Sequence, residues 1–340
     1  MKEIAIVIPN YNGRGFLGEC LQSLEGQNRE NKTQEAKSRE AQTQDVPRYE
    51  VIVVDNGSED GSVDFIEREF PHVRVIPLPE NTGFCHAVNV GIEASASPYV
   101  ILLNNDTKVK EGFVPALYHA IESRPDAFSV SARMLLWDRP ELLDGAGDRY
   151  CVLGWAYARG KGRPAAAFDK AAEVFSACGG AAIYRRSVLE EIGLFDELHF
   201  AYMEDLDIGY RARVFGYRNY YEPGAEVIHY GSASSGSRYN EFKTIHAAAN
   251  NVYVIGKNMP SLQWIWNLPF LVAGFLVKFL FFCKKGMGGS YLKGLKAGFG
   301  KIFSEEGRKH RIPFRWAHLR NYFAIQGQLY ANTLRFLKKS

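Results

Sequence analysis

Cysteine is scarce and unpatterned. The five residues Cys20, Cys85, Cys151, Cys178 and Cys283 contain no CxxC pair, so no disulfide framework is indicated, and they read as reduced thiols in a cytosolic compartment. No GxGxxG follows the first apolar run and no GxxxxGK[ST] occurs anywhere, which excludes dinucleotide oxidoreductases and P-loop NTPases. Long hydrophobic runs are equally rare. The N-terminal Ile4-Ala5-Ile6-Val7-Ile8 stops at Pro9-Asn10, too short for a signal peptide and without a small-residue cleavage site, and reads as a first strand. No internal repeat is present. With 46% hydrophobic and 23% charged residues over 340, a fully disordered chain, a collagen-like repeat and a polytopic membrane protein are excluded.

The net charge of +3 hides an asymmetry. Residues 257–340 carry 15 Lys+Arg against 2 Asp+Glu, a net of +13, which leaves residues 1–256 at −10. An acidic body with a basic tail points the tail at something anionic.

Residues 4–8, 51–54, 73–76 and 99–103 are short runs rich in β-branched residues, the pattern of strands covered on both faces. Between them, Phe16, Leu17, Cys20, Leu21 and Leu24 share one helical face, and residues 84–94 can open another helix after Gly83. This alternation predicts an α/β fold with a mostly parallel sheet flanked by helices. Residues 27–48 interrupt it. They hold two alanines, one valine and no aromatic, too little apolar surface to offset ordering, and read as a polar surface insertion, mobile or weakly helical.

Ligands bind at the carboxyl ends of strands in such sheets, and polar clusters stand at those places. Asn10-Tyr11-Asn12-Gly13 follows the first strand and Asp55-Asn56-Gly57-Ser58 the second. Glu80-Asn81-Thr82-Gly83 lies near the end of the third, and Asn104-Asn105-Asp106-Thr107 follows the fourth. Each alone is an ordinary turn; four in succession converge on one site. Asp55 can accept hydrogen bonds from a ribose or base, or close an Asx turn. Asp106 fits the one or two carboxylates that a hard divalent cation on a diphosphate requires. In Glu204-Asp205-Leu206-Asp207, running into Arg211 and Arg213, helix electrostatics accounts for Glu204 and Asp207. Asp205, about 100° around the axis from Glu204, is free to face a cleft as a general base. His229 ends a predicted strand and is either structural or a partner of Asp106 on a metal.

In order and spacing these motifs resemble the family 2 glycosyltransferases of GT-A fold, on the branch that includes rhamnosyltransferases. The resemblance covers about residues 3 to 235 and includes Gly193-Leu194-Phe195-Asp196-Glu197 and Pro223. It implies that Pro9, Asn10, Tyr11, Asn12, Asp55, Asn81, Gly83, Asn104 and Asn105 hold the nucleotide of a dTDP- or UDP-sugar. It assigns Asp106, the last position of the DXD motif, and His229 to a divalent metal, Mg²⁺ or Mn²⁺. It assigns the Glu204-Asp205 pair to catalysis, with Asp205 the base of an inverting transfer. Asn104 in place of the first DXD acid and the 27–48 insertion depart from the pattern. Without a Q-x-x-R-W motif or several spanning helices, a processive synthase is excluded, and no early Gly-rich activation loop marks a nucleotidyltransferase. A non-catalytic nucleotide-sugar-binding protein is the competing class.

The tail completes the expectation. Residues 261–283 are long enough to span a bilayer, but Asn267, Pro269 and Lys278 interrupt them and the flanking basic residues favour one side. A helix or helical hairpin lying in the interface follows, with Trp264 and Trp266 at headgroup level on an anionic membrane surface. The division expected is thus a catalytic domain over 1–256 and a helical, membrane-associating tail over 257–340, cytoplasmic and peripheral or monotopic at the inner face of the cell membrane. The acceptor is a cell-surface glycan or lipid-linked saccharide, with residues 132–175 shaping its side. Nucleic acid is excluded as a partner, because the body is acidic and carries no binding motif.

Overall fold

The computed structural model describes residues 2–34, 47–231 and 239–338. The first half alternates as its periodicity requires: β1 (Ile4–Asn10), α1 (Arg14–Gln34), β2 (Tyr49–Asp55), α2 (Ser62–Glu69), β3 (Arg74–Pro77), α3 (Phe84–Glu93) and β4 (Tyr99–Leu103). β1 lies between β2 and β4, with β3 beyond β2, and all these pairs are parallel. Side chains alternate across the pleat. Ile4, Ile6 and Ile8 pack on one face with Leu17, Cys20, Leu21 and Leu24 of α1, while Ala5 and Val7 enter the opposite core with Val88 and Ile92 of α3. Both faces are covered, so the strands are apolar throughout.

The middle of the chain extends the sheet. β5 (Thr107–Val109), α4 (Phe113–Glu122), β6 (Ala127–Leu136), β7 (Leu143–Gly145), β8 (Asp148–Tyr150), β9 (Ala156–Ala158), β10 (Ala172–Val174), β11 (Ala181–Arg185), α5 (Arg186–Ile192), α6 (Glu204–Phe215) and β12 (Arg218–His229) follow in order. β11 runs antiparallel between β4 and β6, and β12 lies parallel to β6. β8 and β9 form a separate hairpin in which Asp148 faces Ala158 and Arg149 faces Tyr157.

Helices α7 (Glu241–Asn258), α8 (Ser261–Lys284), α9 (Gly288–Phe303), α10 (Glu305–Lys309) and α11 (Leu319–Leu337) end the chain. They seal a third core against the outer side of α6, where Leu206, Tyr210 and Val214 meet Val254, Met259, Leu271, Tyr322, Ile325 and Leu329. Gly294 and Gly298 let α9 lie directly on α7, since a Cβ at either would fall 2.4–2.6 Å from a backbone oxygen of Ile245 or Ala249.

Two expectations change. α1 continues through Gln34, and Gln27 is buried with its Nε2 donating to the Lys110 carbonyl at 2.9 Å, so the polar segment begins inside a packed helix; residues 35–46 of it lie outside the described residues. In α8, Trp266 is 68% exposed, whereas Trp264 turns inward against the third core, because two residues on a helix point about 200° apart. α8 is one continuous helix and is long and apolar enough, by length and composition, to cross a membrane.

Candidate active site

The four strand-exit loops meet and brace one another. Asn10 Nδ2 donates to Asp55 Oδ1 at 2.7 Å, Asn105 Nδ2 donates to Asn10 Oδ1 at 2.7 Å, and the Ser58 amide donates to Asp55 Oδ2 at 2.9 Å. Asn10, Asp55 and Asn105 are all buried, so each polar atom needs such a partner. Asn12, at φ 49°, accepts from the Glu59 amide. Asn56 Nδ2 donates to Asn81 Oδ1 and the Gly83 carbonyl, tying the second loop to the third. Tyr11 stands exposed on the rim. Gly83, at φ +90°, lies beneath Phe200, whose ring a Cβ would approach to 2.6 Å. The same contact lets the Phe84 amide donate to the Phe200 carbonyl at 2.7 Å, so the third loop buttresses the turn before α6.

Asp106 and His229 meet because β5 pairs antiparallel with β12, setting His229 opposite Thr107. His229 Nε2 is 3.3 Å from Asp106 Oδ1, and its Nδ1 is 2.8 Å from Asp144 Oδ2. Lys161 Nζ closes the row at 2.5 Å from Asp144 Oδ1. Burial alone would lower the His229 pKa, but hydrogen bonds and charge from Asp106 and Asp144 lift it to about 9. Burial would likewise raise Asp144, but the His229 and Lys161 contacts hold it at about 2.

The arrangement fits a hard divalent ion. One carboxylate oxygen and one imidazole nitrogen converge at the spacing of neighbouring ligands, and Asp144 orients the ring from behind, as carboxylates behind metal-bound histidines do. Binding there must displace the imidazole proton, so affinity weakens as pH is lowered. Trp137 stacks on Tyr230 beside this pair, with centroids 3.8 Å apart, and is 45% exposed.

Asp205 opens α6. Its Oδ1 accepts from the Leu206 amide at 2.7 Å and its Oδ2 from the Gly179 amide at 3.4 Å. One residue on, the Gly180 carbonyl accepts from the Asn104 amide at 2.9 Å, so a single turn connects Asp205 to the Asn104–Asp106 loop. Asp148 and Cys178 bring ligand-type atoms within 4.8 Å of Asp205. Burial raises the Asp205 carboxyl above its ordinary range, and burial with the Asp205 charge raises Asp148 strongly. Burial, then Asp205, pushes Glu204 to about 8, and its Oε2 is buried without a hydrogen-bond partner. A carboxyl raised in this way is held toward its protonated form. The Cys178 thiol is raised by burial and then by Asp148 and Asp205.

The segment that presents Asp205 is strained. Phe200, Tyr202 and Met203 all have positive φ, at 60°, 70° and 71°, conformations that cost non-glycine residues and persist only when held. The C-terminal helices hold them. Asn250 Nδ2 of α7 lies 2.8–2.9 Å from the carbonyls of His199, Ala201 and Tyr202, and Lys301 Nζ of α9 reaches Asn250 Oδ1 at 2.6 Å. A second group, Asp196, His199 and Asp207, also has metal-ligand geometry, but Lys257 and Arg211 already occupy its carboxylates.

Sequence reasoning missed Asp144 and Asp148. Their signal was two acids four residues apart flanking Gly145-Ala146-Gly147, in a segment assigned only to the acceptor side. It also missed Asn250 and Lys257, which no local pattern distinguishes from ordinary helix residues.

A family model described as Glycosyl transferase family 2 matches residues 5–193. The chain is 30% identical over 247 residues to the N-acetylglucosaminyl-diphospho-decaprenol L-rhamnosyltransferase of Mycobacterium tuberculosis, a stretch covering 64% of this chain and 77% of that protein. Among solved structures, S. aureus TarS 1–349 in complex with UDP-GlcNAc aligns with a TM-score of 0.56 at 18% identity, over 96% of this chain and 91% of that one. GalNAc-T7 with UDP, GalNAc and Mn²⁺ aligns with a TM-score of 0.57 at 14% identity, over 76% of this chain and 48% of that one. The fold is that of the GT-A glycosyltransferases, as the resemblance implied.

Proposed function

We propose that this chain, which belongs to glycosyl transferase family 2, moves L-rhamnose from dTDP-rhamnose to a hydroxyl of a lipid-linked cell-surface glycan intermediate. The observation that carries the reading is the joining of the Asn104–Asp106 loop to Asp205 through one turn, with His229 beside Asp106. The mycobacterial relative's name supports the sugar and the kind of acceptor.

In this reading Asp205 takes the proton of the acceptor hydroxyl as its oxygen attacks the anomeric carbon from the face opposite the diphosphate. The bond from that carbon to the diphosphate oxygen breaks in the same displacement, the configuration inverts, and no covalent enzyme intermediate is needed. The braced Asn10, Asp55, Asn81 and Asn105 loops fix the nucleotide, with Pro9, Tyr11, Asn12, Gly83 and Asn104 shaping its walls. Asp106 and His229 would hold a Mg²⁺ or Mn²⁺, whose charge offsets that of the departing nucleoside diphosphate.

The test is nucleoside diphosphate release by the purified full chain from dTDP-, UDP- and GDP-sugars, with a membrane lipid extract as acceptor and with or without EDTA. Acceptor-dependent release from dTDP-rhamnose, abolished by EDTA, is expected. The Mn²⁺ concentration for half-maximal rate should rise from pH 8 to pH 6, because His229 must lose its proton to bind. Release from another donor would replace rhamnose. Silence across the panel while dTDP-rhamnose still binds would select the non-catalytic class.

The same reading sets the tail on the inner face of the membrane. Leu262, Ile265 and Trp266 are 81%, 64% and 68% exposed on α8, within a region of net charge +13. Co-flotation with phosphatidylglycerol vesicles should be strong for the full chain and lost in Leu262→Glu/Trp266→Glu. Equal flotation of that variant would remove α8 as the contact.

A further inference from the structure

The backbone of Asp148 is held on both sides while its carboxyl meets no partner. Its carbonyl accepts from the Phe175 amide and its amide donates to the Ser176 carbonyl, both at 2.9 Å. On its other edge it pairs with Ala158 in the β8–β9 hairpin. Gly147 before it turns at φ +75°, where a Cβ would fall 2.8 Å from Val174, so the entry to the strand is fixed as well. The side chain, by contrast, makes no hydrogen bond and no ion pair among the described residues. After burial, the charge that acts on it most is another acid, Asp205. Lys161 also acts on it but is bonded to Asp144. A carboxyl drawn partly out of water toward a second acid, with no donor, costs stability unless a ligand supplies the hydrogen bond.

What stands opposite decides which donor fits. Carboxylate oxygens of Asp148 and Asp205 and the Cys178 Sγ lie within 4.8 Å of one another, and all three residues are half-buried, so their outer edges stay open to a ligand. In the transfer reading Asp205 receives the proton of the attacking hydroxyl. A sugar carries hydroxyls on consecutive carbons, so that hydroxyl brings a neighbour with it. With hydrogen bonds of about 2.7 Å, two adjacent hydroxyls reach two oxygens a few ångström apart, which is what Asp205 and Asp148 offer. Burial and the Asp205 charge hold Asp148 toward its neutral form. It can thus stand beside the base without a second full negative charge, and its carbonyl oxygen still accepts. We propose that Asp148 accepts a hydrogen bond from the acceptor-sugar hydroxyl next to the one that attacks, so that the two acids together select an acceptor with adjacent free hydroxyls. The proposal rests on the transfer reading above, with Asp205 as the base.

The test is transfer by the full chain to a synthetic N-acetylglucosaminyl-diphospho-lipid, the acceptor type in the mycobacterial relative's name, and to its 3-deoxy and 4-deoxy analogues. One analogue lacks the attacked hydroxyl and takes no sugar. The other lacks its neighbour and should lose about ten- to a hundredfold in kcat/KM, the worth of one strong hydrogen bond. Asp148→Ala should show the same loss with the intact acceptor and no further loss with that second analogue. Asp148→Asn keeps a carbonyl acceptor and should recover part of it. The dTDP affinity and the Mn²⁺ concentration for half-maximal rate should match the wild type in both variants, reporting an intact fold and donor site. Full kcat/KM in Asp148→Ala, or losses from variant and analogue that simply add, overturns the contact. So does a change in the Mn²⁺ requirement in place of the acceptor KM, which would assign Asp148, Cys178 and Asp205 to a metal. If the wild type uses a different donor, the comparison is made with that donor. If it uses none, the transfer reading fails, and calorimetric binding of the intact acceptor to wild type and Asp148→Ala still decides the contact, equal affinities overturning it.

Discussion

Asp205→Asn is expected to lower sugar transfer by about 10²- to 10⁴-fold, the range typical of losing a positioned general base, while dTDP-sugar affinity stays within about threefold. The separation follows from its contacts. Asp205 touches the Leu206 and Gly179 amides and stands on the far side of the Cys178–Gly180 turn from the Asn104–Asp106 loop, so it does not belong to the braced loops assigned to the nucleotide. An asparagine keeps the carbonyl acceptor for Leu206, but its amide oxygen is too weakly basic to take the acceptor's proton. The variant should also be as stable as the parent or more so at neutral pH. The folded-state pKa of Asp205 is raised above its ordinary 3.8 by burial, and a raised acid contributes stability at low pH that is lost as pH climbs through the folded value. At pH 7 and above the native carboxylate is therefore a burden that burial imposes, and the neutral amide relieves it. A melting temperature held or raised, together with collapsed transfer, is the signature of a residue kept for chemistry at the expense of stability. Near-normal turnover would remove Asp205 from the role.

What could be read in the sequence divides along physical lines. The parallel half was legible because Ile4–Ile8, Val51–Val54 and Tyr99–Leu103 are buried on both faces and so are apolar at every position. The loops were legible because each follows such a run directly. For Glu204, adjacency to Asp205 in the sequence did not show that burial raises its carboxyl well above the ordinary range. The Asp144 and Asp148 pair was hidden because its contacts, to His229 and Asp205, lie more than fifty residues away and rest on β7 and β8, three residues each and too short for a strand pattern. The C-terminal helices were legible only on their outer side. Their charge and apolar run pointed outward to a membrane, and nothing local announced that Asn250, Lys257 and Lys301 point inward to the turn before α6. A buried polar contact leaves no periodic trace.

That inward side carries the second large effect, Lys257→Met. Lys257 Nζ is 2.6 Å from Asp196 Oδ2 and 2.9 Å from Asp207 Oδ2, with all three side chains buried. Asp207 is also held by Arg211 at 3.0 Å and by Asn258 Nδ2 at 2.7 Å, and Asp196 by Tyr253 Oη at 2.8 Å and His310 Nδ1 at 2.9 Å. One ammonium from α7 thus neutralises a carboxylate on α6 and another on the loop before it, and α6 is the helix that begins with Glu204-Asp205. Methionine fills similar volume but leaves two carboxylates short of one charge, and removing one partner of a buried pair costs about 3–5 kcal/mol. The pH dependence distinguishes this from lost packing. Burial would raise both acids, but the Lys257 charge, with Arg211 for Asp207, holds Asp196 at about 2 and Asp207 well below its ordinary value. Depressed acids contribute stability that is present above their unfolded pKa near 3.8 and lost as pH falls toward the folded values. The gap between parent and variant in urea midpoint should therefore be full at pH 7 and narrow between pH 4 and pH 2. A gap constant across that range would mean that Lys257 acts through its methylenes alone. If the gap narrows as expected, transfer at pH 7 should also fall in the surviving folded enzyme, because the strained Phe200–Met203 turn and α6 lose part of their clamp together. The tail would then be a structural part of the catalytic centre as well as its membrane contact.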